Sequence, residues 1–259
     1  MRFRSLGSGS SGNATLVEAH DGAARSRLLI DCGFTLRELE LRLARSGLAP
    51  DDLDAVFVTH EHGDHVGCAL ALARRHRLPL WMSRGTWQAI GAPSLDAGLL
   101  NFARDGEAIT LAALQLRPYT VPHDAAEPLQ LTLDDGVVRL GILTDAGSIT
   151  THLLQALADC AALLLECNHD PALLAASRYP PSLKARIGGR LGHLANDSAA
   201  EILRQCTHPG LRHVVAAHLS EQNNRPELAA AALASALGTA AADIVVANGT
   251  DGFDWLALR

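Results

Sequence analysis

The segment THEHGDH at residues 59–65 carries the strongest signal in this sequence, and we call it the histidine loop. It directly follows an apolar, β-branched run that is typical of a buried strand. The fixed positions of its HxHxDH pattern are His60, His62, Asp64 and His65. Chance would produce this pattern on the order of once in a thousand chains of similar composition. Because imidazole nitrogens suit borderline cations such as Zn²⁺ and a carboxylate can bind a harder ion or bridge two ions, the loop predicts ligands for two neighbouring metal sites. A solvated loop without metal is the alternative.

The composition is that of an ordinary globular protein. Of 259 residues, 48% are hydrophobic and 19% are charged, which excludes disorder as the main state. No linker, repeat or low-complexity tract divides the chain, so we predict one domain over residues 1–259. The formal net charge of −6 argues against broad electrostatic capture of nucleic acid, although bound divalent cations would offset part of it. The 12 histidines are unusually many, and histidine is the commonest metal ligand.

The cysteines and the hydropathy pattern indicate a compartment. The five cysteines form no CxxC pair and are odd in number, which is typical of reduced thiols in a cytoplasm. The amino-terminal stretch has no apolar h-region, and no apolar run approaches about 18 residues. We therefore expect a soluble, cytoplasmic protein without a signal peptide or a membrane partner. The sequence leaves its oligomeric state open.

Strand-like and helical patterns alternate to the end of the chain, which predicts an α/β fold. The predicted strands lie at residues 14–18, 27–31, 55–59, 114–121, 129–133, 137–143, 161–166, 212–217 and 243–247. The predicted helices lie at residues 35–46, 66–76, 149–158, 196–206 and 225–237. Most of the strand-like runs end at a polar or charged residue.

The histidine loop resembles the signature of the metallo-β-lactamase fold superfamily. This resemblance implies a four-layer αβ/βα sandwich with a two-metal site between its sheets. Three polar residues at the ends of apolar runs, His123, Asp145 and His218, follow the loop in the order that the superfamily requires. Alone, each would be an ordinary loop residue.

The resemblance also implies how these residues divide between the ions. His60, His62 and His123 would hold one ion, while Asp64, His65 and His218 would hold the second. Asp145 would bridge the two ions. Asp31, at the end of the run RLLID, matches an early aspartate that braces the histidine loop. His/Asp sites accept both Zn²⁺ and Mn²⁺, so the pattern does not choose between them.

A closer resemblance covers nearly the whole chain. The segments LGSGSSGNATLVE, VPHDAAEP, ECNHD, SRYPPSLKARI, GHLANDSAAEIL and AHLSEQNN are similar to those of the YycJ (WalJ) family of single-domain bacterial nucleases. The resemblance implies a DNA 5′ exonuclease, an activity typical of DNA repair. Metallo-β-lactamase nucleases of the β-CASP type carry a large inserted domain, but only 73 positions separate Asp145 from His218, so we expect no such insertion.

Two segments are also similar to motifs of ribonuclease Z. Glu166 in LLLECNHD and His193 in GHLANDSAAEIL match a glutamate that orients a histidine, and this histidine can protonate the leaving oxygen. Ala195 departs from the motif, because a small hydroxyl residue is usual there. Glu166, His193 and the metal ligand Asp64 are therefore the candidate catalytic residues.

The stretch from residue 171 to residue 196 is basic and contains no acidic residue, in a chain that is acidic overall. We call its cations, Arg178, Lys184, Arg186 and Arg190, the basic rim. Arg and Lys neutralise backbone phosphates, so the rim indicates a phosphate-binding surface. Scattered basic residues on a helix surface are the alternative.

Two short motifs leave alternatives open. His169 and Asp170 in ECNHD either belong to the site or cap a following helix. The SGSSGN segment is typical of a tight turn that needs glycine, with Ser11 or Asn13 lining the cleft as the alternative.

Taken together, the motifs predict a dinuclear metal-dependent phosphodiesterase that removes nucleotides from DNA ends. A metal-activated hydroxide would attack phosphorus, with Asp64 or Asp145 taking the proton and His193 assisting the leaving oxygen. A thioesterase of the metallo-β-lactamase fold or a small-molecule phosphodiesterase would share the ligands but would not need the basic rim. A non-catalytic binding module would not need intact ligands. Preference for DNA over RNA and cleavage polarity are not decided by these residues.

Overall fold

The computed structural model describes residues 1–96 and 98–259, which contain fourteen strands and nine α-helices. The strands are β1 (Arg2–Gly7), β2 (Ala14–His20), β3 (Arg25–Ile30), β4 (Ala55–Phe57), β5 (Leu80–Met82), β6 (Leu100–Phe102), β7 (Ile109–Leu111), β8 (Leu114–Thr120), β9 (Leu129–Asp134), β10 (Arg139–Leu143), β11 (Ala162–Glu166), β12 (His213–Ala217), β13 (Val245–Val246) and β14 (Phe253–Ala257). The helices are α1 (Leu36–Arg45), α2 (Gly63–Val66), α3 (Ala69–His76), α4 (Arg84–Ala89), α5 (Thr151–Leu157), α6 (Pro171–Ala176), α7 (Pro181–Ile187), α8 (Asn196–Cys206) and α9 (Pro226–Leu237). None of the helices described here has the length and apolarity needed to cross a bilayer.

The strands form two seven-stranded sheets that are built alike. The first sheet has the order β14-β1-β2-β3-β4-β5-β6, and the second has the order β13-β12-β11-β10-β9-β8-β7. In the first sheet, neighbouring strands from β14 through β1 and β2 to β3 pair antiparallel, and those from β3 through β4 and β5 to β6 pair parallel. In the second, β7 to β10 pair antiparallel and β10 to β13 pair parallel.

Three apolar clusters hold the layers together. The central cluster lies between the sheets and joins side chains such as Phe3 and Phe57 from the first sheet to Leu131 and Ile142 from the second. A second cluster packs helices α1 and α3 on the outer face of the first sheet. A third packs α5, α8 and α9 on the outer face of the second sheet. The predicted four-layer αβ/βα sandwich is therefore confirmed.

Strand β11 shows how the sequence selects a central position. Its residues ALLLE are buried on both faces, and it pairs parallel with β10 on one side and β12 on the other. A continuous apolar run suits a strand that is covered on both faces. The run ends at Glu166, the one ionisable residue of the strand, which lies at its carboxyl end.

The site residues follow from this arrangement. Strands β10, β11 and β12 are parallel, so their carboxyl ends meet at one edge of the sheet. Strand β8 runs in the same direction, because two antiparallel pairings separate it from β10. The residues at or just after these ends are His123, Asp145, Glu166 and His218. The histidine loop follows β4 in the first sheet and faces this edge.

Several short elements were not predicted from the sequence. They are the strands β1, β5, β6, β7 and β14 and the helices α2, α4, α6 and α7. Strands β5, β6 and β7 have three residues each, and helices α6 and α7 have six and seven. Segments of this length are too short to show the periodicity of a strand or helix.

Glycine is required where the histidine loop meets the loop after β3. The backbone N–H of Cys32 donates to the carbonyl of His65 (2.7 Å), and that of Asn13 donates to the carbonyl of Asp64 (2.8 Å). A Cβ atom on Gly33 would lie 1.8 Å from the carbonyl oxygen of Asp64. The backbones can approach this closely only because residue 33 has no side chain.

We predict that Gly33→Ala lowers the free energy of unfolding by about 1–3 kcal/mol or more, because the new methyl group must displace buried backbone. Gly63→Ala is the matched control in the same region, since a Cβ there meets nothing within 4 Å. The control should stay within about 0.5 kcal/mol of the unmodified protein. Urea unfolding with a chelator present measures both variants free of ligand effects. Equal stability of the two variants would contradict the close approach.

Candidate metal centre

Three imidazoles converge on one point at the edge of the second sheet. His60 Nε2 lies 3.0 Å from His62 Nδ1, and His123 Nε2 lies 3.2 Å from that same nitrogen. His60 and His123 are buried, whereas His62 is partly exposed. The three rings form a group that could hold a metal ion, and this is the first ligand group that the resemblance implied.

A second group lies beside the first. Asp64 Oδ2 is 3.4 Å from His218 Nε2 and 3.5 Å from His65 Nε2. Burial alone would raise the pKa of Asp64, but its contacts with His218 and His65 hold it well below its usual range. The carboxylate is therefore ionised and available to a cation, so these three residues form the second implied ligand group.

Asp145 lies between the two groups and contacts both. Its Oδ2 is 2.9 Å from His65 Nε2, and its Oδ1 is 3.3 Å from His218 Nδ1 and 3.9 Å from His123 Nε2. The carboxylate is buried. This position is suited to a carboxylate that bridges two cations.

Asp31 braces the histidine loop from behind. Its Oδ1 accepts the backbone N–H of Thr59 at 2.8 Å, and its Oδ2 accepts Nδ1–H of His65 at 2.8 Å. The Thr59 hydroxyl also donates to this carboxylate (3.0 Å) and lies 3.1 Å from His60 Nδ1. Asp31 and His218 both adopt positive φ, at 62° and 54°. Such strained backbone is common at functional sites, and here it turns both side chains into the cluster.

These hydrogen bonds assign the protons on the rings. His123 Nδ1 donates to the carbonyl of Gly192 (2.9 Å), since a carbonyl only accepts. The Thr59 hydroxyl gives its single proton to Asp31, so His60 Nδ1 donates to that hydroxyl. In the neutral rings, Nε2 of both His60 and His123 therefore carries a lone pair, and both lone pairs face His62 Nδ1. One nitrogen cannot donate to two acceptors with a single proton, whereas a cation would satisfy all three.

The same argument applies to the second group. His65 Nδ1 donates to Asp31, so its Nε2 presents a lone pair to Asp145 Oδ2. Two acceptors this close repel each other unless a proton or a cation lies between them. Burial alone would lower the pKa of His65, but the carboxylates of Asp145 and Asp31 raise it well above its usual value. Protons and metal ions thus compete for this nitrogen, and the donor set fits Zn²⁺ or a similar divalent ion.

Glu166 connects the cluster to His193. The buried Glu166 carboxylate accepts the backbone N–H groups of Ala146 (2.9 Å) and Leu194 (3.2 Å), and its Oε1 lies 2.7 Å from His193 Nδ1. Oδ1 of Asp145 is also 3.1 Å from this nitrogen. Nδ1 therefore faces two carboxylates, which leaves Nε2 of His193 for an outside partner.

His193 is held in its protonated form by these neighbours. Burial alone would lower its pKa, but Glu166 and Asp145 raise it to about 11. The side chain is 23% exposed, so solvent or a ligand can reach the ring. The arrangement presents a cationic N–H donor at the edge of the cluster.

The basic rim lies beside the cluster on α7 and the loops around it. Arg186 pairs with Asp124 (Nε to Oδ2, 2.5 Å), and Asp124 follows the candidate ligand His123. Lys184 donates to the carbonyl of Ala175 (2.6 Å). Arg178 and Arg190 are exposed and make no side-chain hydrogen bond or ion pair with any described residue. Two of the four cations are therefore already engaged, and two project freely.

The structure locates the two motifs, ECNHD and SGSSGN, for which the sequence leaves alternatives open. Asp170 caps α6, because its side chain accepts the N–H of Leu173 at 2.9 Å. His169 is buried, and its Nδ1 has no partner among the described residues. The side-chain amide of Asn13 lies 3.2 Å from His65 Nε2 and 3.4 Å from Asp64 Oδ2, so the SGSSGN loop does reach the cluster.

Sequence reasoning missed two residues that hold the cluster in place. Thr59 links Asp31 to His60, and Ser8 accepts the backbone N–H of His218 through its hydroxyl (2.8 Å). Thr59 could have been found, because it directly precedes the HxHxDH pattern. Ser8 is 210 positions from its partner, and the sequence contains no signal for that contact.

Comparison with known proteins agrees with this geometry. The family model of the metallo-beta-lactamase superfamily matches residues 7–155, more than half of the chain. The metallo-beta-lactamase fold protein YhfI from Bacillus subtilis superimposes with a TM-score of 0.76 at 16% identity, covering 98% of both chains. At that identity the likeness concerns the fold alone.

Curated relatives are closer in sequence. The chain is 32% identical over 233 residues to exodeoxyribonuclease YycJ of Bacillus anthracis, covering 88% of this chain and 86% of the relative. It is 31% identical over 232 residues to exodeoxyribonuclease WalJ of Streptococcus pneumoniae, covering 88% and 85%. Together with the fold and the family match, these likenesses show that the chain belongs to the metallo-beta-lactamase superfamily, in the family of YycJ and WalJ.

Proposed function

We propose that this protein is a dinuclear metal-dependent phosphodiesterase that acts as a DNA 5′ exonuclease. The observation that carries the proposal is the convergence of two three-residue ligand groups on the buried carboxylate of Asp145. The names of the relatives, exodeoxyribonuclease YycJ and WalJ, support DNA as the substrate. The basic rim supports a polyanionic substrate over a thioester or a small phosphodiester.

The proposed ligands divide between two ions of Zn²⁺ or Mn²⁺. His60, His62 and His123 would hold one ion and Asp64, His65 and His218 the other, with Asp145 between them. When bound, such ions supply an acidified water and positive charge for the phosphate oxygens. The protein residues supply orientation and proton transfer.

Asp64 is the better candidate for accepting the proton of the attacking water. Its side chain is 25% exposed, whereas that of Asp145 is 2% exposed and surrounded by imidazoles. A group that exchanges a proton with water must be reachable from the cleft. In this proposal Asp145 has a ligand role.

His193 would donate a proton to the leaving oxygen. Glu166 and Asp145 hold its Nδ1, so the ring can present Nε2–H toward the cleft. Glu166 is itself fixed by two backbone N–H groups, which keep the carboxylate from rotating. A fixed donor loses no orientational freedom in the reaction, which favours general-acid catalysis.

The proposal also covers the protein's compartment, domain organisation and cellular role. We infer a cytoplasmic enzyme, because its five cysteines are buried and unpaired, as is typical of a reducing compartment. We also infer that residues 1–259 act as one domain and that the activity serves DNA repair. These inferences stand apart from the chemistry of the site.

The first prediction concerns metal and substrate. Purified protein should bind up to about two transition ions per chain and shorten 5′-labelled DNA from the labelled end. His62→Ala should reduce both the metal content and the rate by orders of magnitude, whereas His20→Ala, at an exposed histidine, should reduce neither. Elemental analysis and gel electrophoresis measure the two effects. Full activity after exhaustive chelation, or cleavage of a thioester but not of DNA, would disprove the proposal.

The second prediction separates acid catalysis from metal activation. His193→Ala should slow DNA hydrolysis by roughly 10² to 10⁴, because a deoxyribose oxygen needs a proton to leave. Hydrolysis of bis-p-nitrophenyl phosphate should change far less, since p-nitrophenolate leaves without one. Glu166→Gln should show the same selectivity more weakly. Equal losses on both substrates would show that His193 has a binding or structural role instead.

The third prediction concerns the free cations of the basic rim. The double variant Arg178→Ala, Arg190→Ala should weaken oligonucleotide binding and make it less sensitive to salt, because fewer counterions are released. Arg37→Ala, Arg75→Ala, on helices of the first sheet, is the matched control and should leave the salt slope unchanged. Fluorescence anisotropy at several salt concentrations measures both. Identical slopes for the two double variants would refute a phosphate-binding rim.

A further inference from the structure

A pocket of about 220 Å³ lies next to the cluster. Its lining residues are Ser10, Ser11, Tyr179, Ser220, Glu221 and Gln222. They come from three distant segments, SGSSGN, SRYPP and HLSEQNN, and the proposed mechanism gives these residues no role. Segments separated by up to about 200 positions thus form one concave surface.

The pocket borders the second ligand group. Ser220 follows the ligand His218 by two positions, and the hydroxyl of Ser8, in the SGSSGN loop, accepts the N–H of His218 at 2.8 Å. Asn13 ends the same loop with its amide 3.2 Å from His65 Nε2. Two of the three walls are therefore tied directly to metal-ligand residues.

The lining suits a nucleoside better than a phosphate. The one charged side chain among the lining residues is that of Glu221, and a carboxylate repels phosphate. Hydroxyl, amide and carboxylate groups can instead bond the N–H and O–H groups of a base or sugar. Tyr179 is partly exposed and offers an aromatic ring on which a base can stack.

The size and surroundings of the pocket limit what it can hold. Its volume is below the roughly 300–1,000 Å³ of pockets for drug-sized ligands, so it suits one nucleoside. Arg178, exposed and without a partner among the described residues, directly precedes Tyr179. Its guanidinium is therefore available to a phosphate of the bound strand.

We propose that this pocket binds the terminal nucleoside of a nucleic-acid strand, with its base stacked on Tyr179. The inference rests on the proposed function and deepens it, because a subsite for one terminal residue beside the metal centre explains why cleavage starts at an end. Stacking tolerates every base, since each has a π-face. Release of one nucleotide would then let the next enter the pocket.

The test compares two oligodeoxynucleotides, one normal and one with abasic residues at both ends, so that cleavage polarity does not matter. Removing the terminal bases should raise KM about 5- to 150-fold for the unmodified protein and for Tyr179→Phe, which keeps the ring. For Tyr179→Ala this penalty should fall below about 3-fold. Leu228→Ala, at an exposed apolar side chain on α9, is the control and should keep the full penalty.

Several outcomes would overturn the proposal. An equal penalty in Tyr179→Ala and the unmodified protein, or no penalty in either, would exclude stacking at Tyr179. A KM that follows a terminal phosphate and not the terminal base would assign the pocket to phosphate. Thermal unfolding verifies that Tyr179→Ala is folded. If the unmodified protein cleaves neither oligonucleotide, the proposed function fails, and the same comparison of dissociation constants by fluorescence anisotropy still tests the pocket.

Discussion

The hydrogen-bonded pair of Asp31 and His65 is the interaction on which the site depends. The carboxylate and the imidazole are 2.8 Å apart, and both are buried. Asp31 directly follows β3 of the first sheet, whereas His65 lies in the histidine loop, so the pair joins the sheet to the loop. Removing one partner of such a buried pair typically costs about 3–5 kcal/mol, because the other charge is left uncompensated. The pair also fixes the tautomer of His65 and so directs a lone pair into the cluster.

The cluster as a whole is built around an electrostatic requirement. Three buried carboxylates, those of Asp31, Asp145 and Glu166, lie within hydrogen-bonding distance of imidazoles. The Nδ1 atoms of His60, His65 and His123 donate to groups on the outer side of the cluster. The Nε2 lone pairs of these rings therefore point toward the centre of the cluster. This arrangement is stable only when protons or cations occupy the centre. The same groups that would bind metal therefore make the site dependent on pH and on metal supply.

The residues that we propose to contact the substrate lie around this cluster. The loops that flank α7 carry the free cations Arg178 and Arg190, and Tyr179, in the loop between α6 and α7, lines the polar pocket. His193 lies at the end of the same stretch with its ring partly exposed. One short segment thus brings together groups suited to phosphate, base and leaving oxygen. Such a division is consistent with a polymer that is bound at its end and cut beside the metal centre.

The sequence by itself determined the fold class and most of the candidate ligands. The HxHxDH pattern is local, and His123, Asp145 and His218 each follow a strand of five to seven residues that the sequence pattern predicts. Only the tertiary structure decided which cations of the rim are free, because the partner of Arg186 lies 62 positions away. It also decided that Thr59 and Ser8 support the candidate ligands and that three segments form one pocket. The three-residue strands β5 and β6 were missed for the same reason: β5 pairs with β4 and with β6, which lie in other parts of the chain, and three residues show no periodicity.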